Sequence, residues 1–288
     1  MKEHNLTILI PAFSSTFFSS LFSLITCGIF LRYRDLSNNY ASRLIFILSL
    51  TDVLVWGNHS INFFYYLVSD KDLEELSHNY CIISSVFRCI NGLINLYCIF
   101  IIGFSLYINT ICNKDPLHYE KPAMIIIFFL SLVLSLIPLL LNHYGKLDDI
   151  QCWITDPYTN FFVFYLSVLF VLISNSYFVV KVIIKLYRKK QTNIIKELVA
   201  RIFLYPLILL ISWLPSVIRV LTGKNDEILV IFSYCCMPLQ GILNPFIYGR
   251  IFFTIKNKIN DSNNPQKKLQ SSSVSSSFSD NSGLDSSL

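Results

Sequence analysis

Residues 202–221 read IFLYPLILLISWLPSVIRVL, and this stretch decides the class of fold. It carries no charge from Ile202 to Ile218, and an arginine flanks this uncharged run on either side. Two prolines lie inside it, Pro206 and Pro215. In a soluble helix each would cost about 3 kcal/mol, because proline removes a backbone donor and clashes with the preceding turn. A membrane-spanning helix tolerates such prolines, so the stretch is predicted to be a transmembrane helix with a proline kink.

The composition of the whole chain indicates the same environment. Of its 288 residues, 53% are hydrophobic and only 14% are charged, whereas soluble proteins average about 25% charged residues. A deficit of this size predicts a polytopic helical membrane protein. The chain has no Cys-x-x-Cys pair, glycine-rich phosphate loop or His-Glu-x-x-His stretch, so no metal or nucleotide cofactor is predicted. The net charge of +5 is no argument for nucleic acid, and none is expected as a partner.

Uncharged or nearly uncharged runs of about 20 residues, the length that crosses a bilayer, occur at seven places. They are residues 6–31, 44–68, 80–111, 123–141, 158–180, 202–221 and 228–249. The predicted fold is therefore an all-α, seven-transmembrane helix bundle over residues 6–249, with residues 1–5 as a short terminus. Residues 250–260 predict an amphipathic helix on the membrane surface. Residues 261–288 are rich in serine and predict a disordered tail.

Lysine and arginine in the short loops predict the orientation, because they concentrate on the cytoplasmic side. Loops on one side, together with the tail, hold seventeen of these residues, whereas the opposite loops hold only Lys2, Lys71, Lys146 and Lys224. The amino terminus is therefore predicted outside the cell and the carboxy terminus inside, as in a multi-pass plasma-membrane protein. The Asn5 sequon is then extracellular and is a glycosylation candidate.

Polar residues inside the predicted spans are candidates for an internal network. Asp52 is a carboxylate near the middle of the membrane, where a charge costs at least about 2.5 kcal/mol. Asn91 and Asn95 lie one turn apart on the third span, and Asn244 lies near the inner end of the seventh. Such a cluster would either hold a sodium ion or a proton, or join the helices by hydrogen bonds.

Arg88 and Arg219 are the only arginines in the outer halves of the predicted spans. Two readings are open. Their long side chains either extend to the membrane surface, or face inward and form a site for an anion, since guanidinium binds phosphate or carboxylate through two hydrogen bonds.

Cys81 opens the third span and Cys152 lies in the loop between the fourth and fifth, both on the predicted outer side. A disulfide between them would hold that loop over the bundle. The alternative is two unrelated buried thiols.

Several short motifs resemble those of G-protein-coupled receptors. Residues 243–248, LNPFIY, match the Asn-Pro-x-x-Tyr signature of the rhodopsin-like class, and residues 212–215, SWLP, are similar to its Cys-Trp-x-Pro. Asp52 resembles the aspartate of its second span. The sequence departs from this class at residues 105–108, SLYI, where an Asp/Glu-Arg-Tyr triplet would stand.

The departures fit the cyclic-AMP receptor family better. Residues 114–121, KDPLHYEK, resemble its second inner loop, Cys152 with Trp153 is similar to its Cys-Trp pair, and Trp213 followed by Arg219 is similar to its sixth span. The resemblance covers roughly residues 6–260. It implies a receptor that passes binding of an extracellular small molecule, cyclic AMP or another small anion, to a heterotrimeric G protein.

The resemblance also implies roles for particular residues. A conformational switch would include Trp213, Pro215, Pro245 and Tyr248, although Trp213 beside a kink is also explained by ordinary core packing. The basic residues expected to contact the G protein are Lys114, Arg188, Lys189, Lys190 and Lys196, where lipid headgroups alone would also explain the charge. The serine-rich tail is expected to be a substrate of a receptor kinase and to bind arrestin.

A small transporter or ion-translocating protein is the competing class. A retinal pump would need a Schiff-base lysine in the seventh span, and residues 228–249 contain none. Transporters often carry internal repeats, and no repeat relates the two halves here. An enzyme is not expected, because Asp52 is the only carboxylate within a predicted span.

Overall fold

The structure is a computed structural model that describes residues 2–33, 40–69, 78–115, 117–147, 151–188, 193–222 and 227–244. They belong to one compact unit, Met1–Pro245. The predicted amphipathic helix at 250–260, the serine-rich tail at 261–288, Pro245 and Tyr248 lie outside the described residues.

The described chain is almost entirely helical. Its elements are α1 (Lys2–Arg32), α2 (Tyr40–Ser69), α3 (His78–Tyr107), α4 (Leu117–Leu140), β1 (Tyr144–Leu147), β2 (Gln151–Ile154), α5 (Pro157–Asn160), α6 (Leu166–Arg188), α7 (Asn193–Thr222) and α8 (Glu227–Cys236). Two π-helical turns, Ile108–Cys112 and Phe161–Tyr165, follow α3 and precede α6. After a turn at Met237 and Pro238, residues 239–244 are helical again.

Five helical segments are long and apolar enough to cross a membrane. They are Thr7–Arg32, Ser42–Tyr65, His78–Cys112, Lys121–Leu140 and Pro157–Lys185. By helix length and hydropathy the chain is therefore a multi-pass helical membrane protein. The apolar parts of the last two segments, Leu207–Thr222 and Ile228–Asn244, are shorter. The described residues of all seven predicted segments are mainly helical, whereas seven crossings remain a prediction.

Six of the helical segments close into a ring. Around it, α1 contacts α2, α2 contacts α3, α3 contacts α6, α6 contacts α7, α7 contacts α8, and α8 returns to α1. α4 packs outside this ring against α3. Polar residues from several of these helices are buried within the ring, among them Asp52, Arg88 and Asn95. The ring therefore supplies an interior in which polar side chains face one another.

Next to the contact that closes the ring, α1 meets residues 239–244 through small residues. Ser23 Oγ donates to the Gly241 carbonyl at 3.3 Å, and a Cβ at Gly241 would lie only 2.2 Å from Ser19 Oγ. Membrane helices commonly approach closely where one of them presents glycine or serine. Toward the other end of the same contact, Ile8 and Phe63 pack in one cluster with Tyr234.

A β-hairpin joins α4 to α5, and a disulfide attaches it to α3. β1 pairs antiparallel with β2, with Lys146 opposite Cys152, and Cys152 is bonded to Cys81 at a Cα–Cα distance of 5.2 Å. The predicted disulfide is confirmed, and the reading of two unrelated thiols is wrong. Tyr144 is buried and its hydroxyl donates to the Ser135 carbonyl at 2.9 Å; this burial raises the pKa of Tyr144.

The segment after the hairpin begins with a capped turn and then a π-helical turn. Asp156 is the N-cap of α5 and accepts from the Thr159 N–H at 2.7 Å, and hydrogen bonds from Thr159 lower the pKa of Asp156. Pro157 occupies the first turn of α5. Backbone N–H groups in a first turn have no acceptor within the helix, so the N–H that proline lacks costs no hydrogen bond there. In the π-turn Phe161–Tyr165, Phe164 and Tyr165 are both buried.

Candidate functional site

A cavity of about 260 Å³ lies within the ring of helices, beside the hairpin. Its walls come from α1, α2, α3, both hairpin strands, α5, the π-turn Phe161–Tyr165, α7 and α8. Met237 and Gln240, which follow α8, also line it. The hairpin residues Leu147 and Ile154 line it, and so does Asp52. Small-molecule sites are usually clefts of about 300–1,000 Å³ with apolar walls and a few polar groups. This cavity lies just below that range.

Arg88 lines the cavity and is only 1% exposed. Its Nη1 lies 3.0 Å from His59 Nδ1 and 3.2 Å from His59 Nε2. Its Nε donates to the Ser84 carbonyl at 3.4 Å, and its guanidinium carbon lies 5.7 Å from the centre of the Trp153 ring. The side chain therefore faces inward, and the reading in which Arg88 extends to the membrane surface is wrong.

Arg219 lines the same cavity from α7. Its side chain is half-buried, and its guanidinium carbon lies 5.9 Å from the centre of the Tyr234 ring. A guanidinium over an aromatic face is stabilised by the ring's negative surface. Both arginines singled out from the sequence therefore line one cavity.

Three aromatic rings pack along one wall, one pair edge to face and the other tilted. The centroids of Trp153 and Phe164 are 5.2 Å apart, and those of Phe164 and Trp213 are 5.1 Å apart. Trp153 Nε1 donates to Asn160 Oδ1 at 3.1 Å, which fixes the orientation of that indole. The wall therefore runs without interruption from the hairpin to α7.

A chain of hydrogen bonds begins at Trp213 and ends at Asp52. Trp213 Nε1 donates to Gln240 Oε1 at 3.2 Å, Gln240 Nε2 donates to Asn95 Oδ1 at 2.6 Å, and Asn95 Nδ2 donates to Asp52 Oδ1 at 2.7 Å. The other oxygen, Asp52 Oδ2, accepts from Asn244 Nδ2 at 3.1 Å. Both carboxylate oxygens are therefore engaged, as a buried carboxylate requires. The chain joins α2, α3, α7 and residues 239–244.

The structure brings together three of the four residues proposed for the polar network. Asn95 and Asn244 both donate to Asp52, whereas Asn91 Nδ2 donates to the Phe87 carbonyl of its own helix at 2.7 Å. No group of three or more histidine, cysteine or acidic side chains that would hold a metal occurs among the described residues. A sodium ion at Asp52 remains a prediction.

Sequence reasoning missed two residues that complete these contacts. His59 lies seven residues after Asp52 on α2, which places it on the same helix face. Gln240 lies four residues before Asn244 and therefore one turn away on the same face. Each could have been found by following the face of a polar residue already chosen.

The remaining sequence candidates that the structure describes are not among the residues lining the cavity. Lys114 is exposed and follows Asn113, a left-handed residue (φ 52°) that ends the π-turn Ile108–Cys112. Backbones of Asn5, Arg188 and Lys196 are helical, but their side chains are outside the described residues. Lys189 and Lys190 also lie outside them. Pro215 lies within α7, which is helical throughout.

We expect Asp52→Asn to destabilise the folded protein modestly. The new amide keeps one acceptor oxygen, so one of the two neighbouring amides loses its acceptor, at a cost of about 1 kcal/mol. Thermal unfolding in detergent measures the loss. Asn91→Leu is the control, since Asn91 lies outside the network. If Asn91→Leu lowers the unfolding temperature equally, the network is not the cause.

The chain matches no protein-family model and no curated protein. Function therefore has to be inferred from the cavity, the two arginines and the hydrogen-bonded chain beside them.

Proposed function

We propose that this protein is a receptor of the cyclic-AMP receptor-like kind, which couples binding of a small extracellular anion to activation of a heterotrimeric G protein. One observation carries the proposal. A cavity lined by two arginines shares Trp213 with a hydrogen-bonded chain that reaches Asp52.

The cavity lining favours a small anion that also carries a flat ring. Arg88 and Arg219 supply two guanidinium groups, each able to bind phosphate or carboxylate through paired hydrogen bonds. The aromatic wall of Trp153, Phe164 and Trp213 offers stacking surface for a planar group. Cyclic AMP has both features, and it is the first compound to test.

The hydrogen-bonded chain suggests how binding would change the bundle. A ligand against Trp213 would alter the indole's bond to Gln240, which in turn bonds Asn95 and so the environment of Asp52. A ligand shifts an equilibrium only by binding one state better than the other. We infer two packings of the ring that differ at Trp213, with α7 bending at Pro215 to open the end opposite the hairpin.

The orientation and partners belong to the same proposal. The distribution of basic loop residues supports an orientation with the amino terminus and the hairpin outside the plasma membrane and the carboxy terminus in the cytosol. The exposed Lys114 and the basic residues 188–190 and Lys196 would then face a G protein. The serine-rich tail would be phosphorylated by a receptor kinase and recognised by arrestin.

The deciding experiment measures nucleotide exchange on purified G proteins added to membranes that carry this chain. Cyclic AMP, other nucleotides and small carboxylates are supplied one at a time, with membranes lacking the chain as the control. We expect at least one anion to accelerate exchange in a saturable way. If no anion does so at matched expression, while a radiolabelled anion is taken up by sealed vesicles, the chain is a transporter.

Transport is the second candidate because of one observation. Asp52 is a carboxylate on the wall of a cavity inside the bundle, a position used for ion and proton pathways in transporters. Vesicle uptake under an imposed proton or sodium gradient tests this directly. Loss of uptake in Asp52→Asn, without loss of protein, would support it.

A further inference from the structure

The contact between Arg88 and His59 depends on the charge of the histidine. Arg88 Nη1 lies 3.0 Å from His59 Nδ1 and 3.2 Å from Nε2, so it lies over the face of the imidazole and not along the lone pair of either nitrogen. The face of a neutral aromatic ring attracts a cation, whereas a protonated imidazole is itself positive and repels one.

The ring of His59 is itself held in place. It stacks on Trp56, with centroids 5.5 Å apart, and on Phe63, with centroids 5.8 Å apart. These residues are three before and four after it on α2, so all three lie on one helix face. The ring face that meets Arg88 is therefore held by α2, while the centre of the Trp153 ring lies 5.7 Å from the Arg88 guanidinium carbon.

We propose that His59 is the positioning residue for Arg88, and that without a bound anion only its neutral form holds the guanidinium at the cavity wall. The inference rests on the proposed function insofar as Arg88 anchors an anion there. A protonated His59 would place a second positive charge about 3 Å from Arg88, where like charges repel. Acidification in the absence of an anion would therefore weaken the contact between Arg88 and α2.

Other titratable groups also line the cavity and are part of any response to pH. They are Asp52 on the same helix, Arg88 on α3, Tyr165 in the π-turn Phe161–Tyr165, Arg219 on α7 and Tyr234 on α8. Among the described lining residues His59 is the only histidine. A response near neutral pH that depends on the residue at position 59 therefore reports on His59.

The same linkage predicts how an anion and a proton affect each other. An anion bound beside Arg88 would offset the repulsion between Arg88 and a protonated His59. Binding of the anion and of the proton would then favour one another, since such coupling is reciprocal. A more acidic medium would increase the affinity for the anion, provided that the anion lies at Arg88.

The test is thermal unfolding of the full chain in detergent, without added anion, at about pH 7.5 and about pH 5.5, on either side of the usual histidine pKa of about 6.5. The variants are His59→Gln, which keeps a flat polar group that can lie against the guanidinium and takes up no proton, and His59→Leu, which has no such group. His78→Gln is the matched control, because His78 is exposed at the start of α3.

At about pH 7.5 we expect His59→Gln to unfold within about 1 °C of the parent and His59→Leu about 3–8 °C lower. On acidification the parent and His78→Gln should lose more stability than His59→Gln. The inference is overturned if His59→Leu is as stable as His59→Gln, or if His59→Gln loses as much stability in acid as the parent.

Repeating the measurement with cyclic AMP and with inorganic phosphate separates this inference from the proposed function. If the anion-free results hold but neither anion raises the unfolding temperature, the His59 assignment stands and the anion site falls. If an anion stabilises the protein but the substitutions at position 59 have no effect on its pH dependence, the anion site stands and the role of His59 is refuted.

Discussion

Under the proposed function, variants in which Arg88 or Arg219 is replaced by alanine are expected to need an anionic agonist at about 10–150 times the usual concentration. This range corresponds to about 1.5–3 kcal/mol, the contribution of a hydrogen bond to a charged group. Lysine at either position should recover only part of the loss, because the planar, two-pronged guanidinium is missing. Agonist dose–response in G-protein activation, at matched surface expression, measures the effect.

Lys146→Ala is the control for these arginine variants. Lys146 lies in the hairpin opposite Cys152 but not among the residues that line the cavity, so its loss changes the charge near the site without removing an anchor. If all four arginine variants respond like the parent, the ligand binds elsewhere. If Lys146→Ala raises the agonist concentration needed as much as Arg88→Ala does, the effect comes from the overall positive charge around the cavity and not from a binding site.

Loss of the disulfide should have a comparable or larger effect on the folded protein. Cys81→Ala or Cys152→Ala is expected to lower the free energy of unfolding by about 2–5 kcal/mol, because the bond closes a long loop; the two cysteines are 71 residues apart. Surface expression and thermal unfolding measure the loss. Agonist affinity should fall as well, because Trp153 and Ile154 of the attached strand line the cavity.

Cys112→Ala is the matched control for the disulfide, since Cys112 is a free, exposed cysteine. It should behave as the parent does in both measurements. Mass spectrometry that finds Cys81 and Cys152 as free thiols in protein taken directly from membranes would contradict the prediction, whatever the variants show.

The fold could be predicted from sequence where it depends on hydropathy. Segments of about 20 uncharged residues must become helices in a bilayer, because every backbone polar group has to be satisfied internally. For the same reason, the two prolines within residues 202–221 are compatible with the predicted helix. α7 is helical through both of them. Helix length alone, however, does not determine how many times the chain crosses the membrane, since the apolar parts of the last two segments are short.

The site could be predicted only in part, because period and hydropathy do not assign faces in helices that are apolar all round. Arg88, Asp52 and Asn95 are recognisable from sequence because burying each polar side chain in a membrane costs free energy. Such residues therefore usually have a partner or a functional role. Asn91 was grouped with Asn95 on spacing alone, yet it bonds its own helix. The hairpin was missed because Tyr144–Leu147 and Gln151–Ile154 are too short to show a period.

The π-turn Phe161–Tyr165 has a consequence for comparing this chain with others. A π-turn holds one residue more than the α-helical turn it replaces, so residues before and after it follow different helical phases. A relative that lacks the extra residue would need a one-residue gap there, and its counterparts of Phe164 and Tyr165 would otherwise be aligned with residues on the wrong face. An alignment without a gap in this segment would therefore underestimate the sequence similarity on one side of the turn.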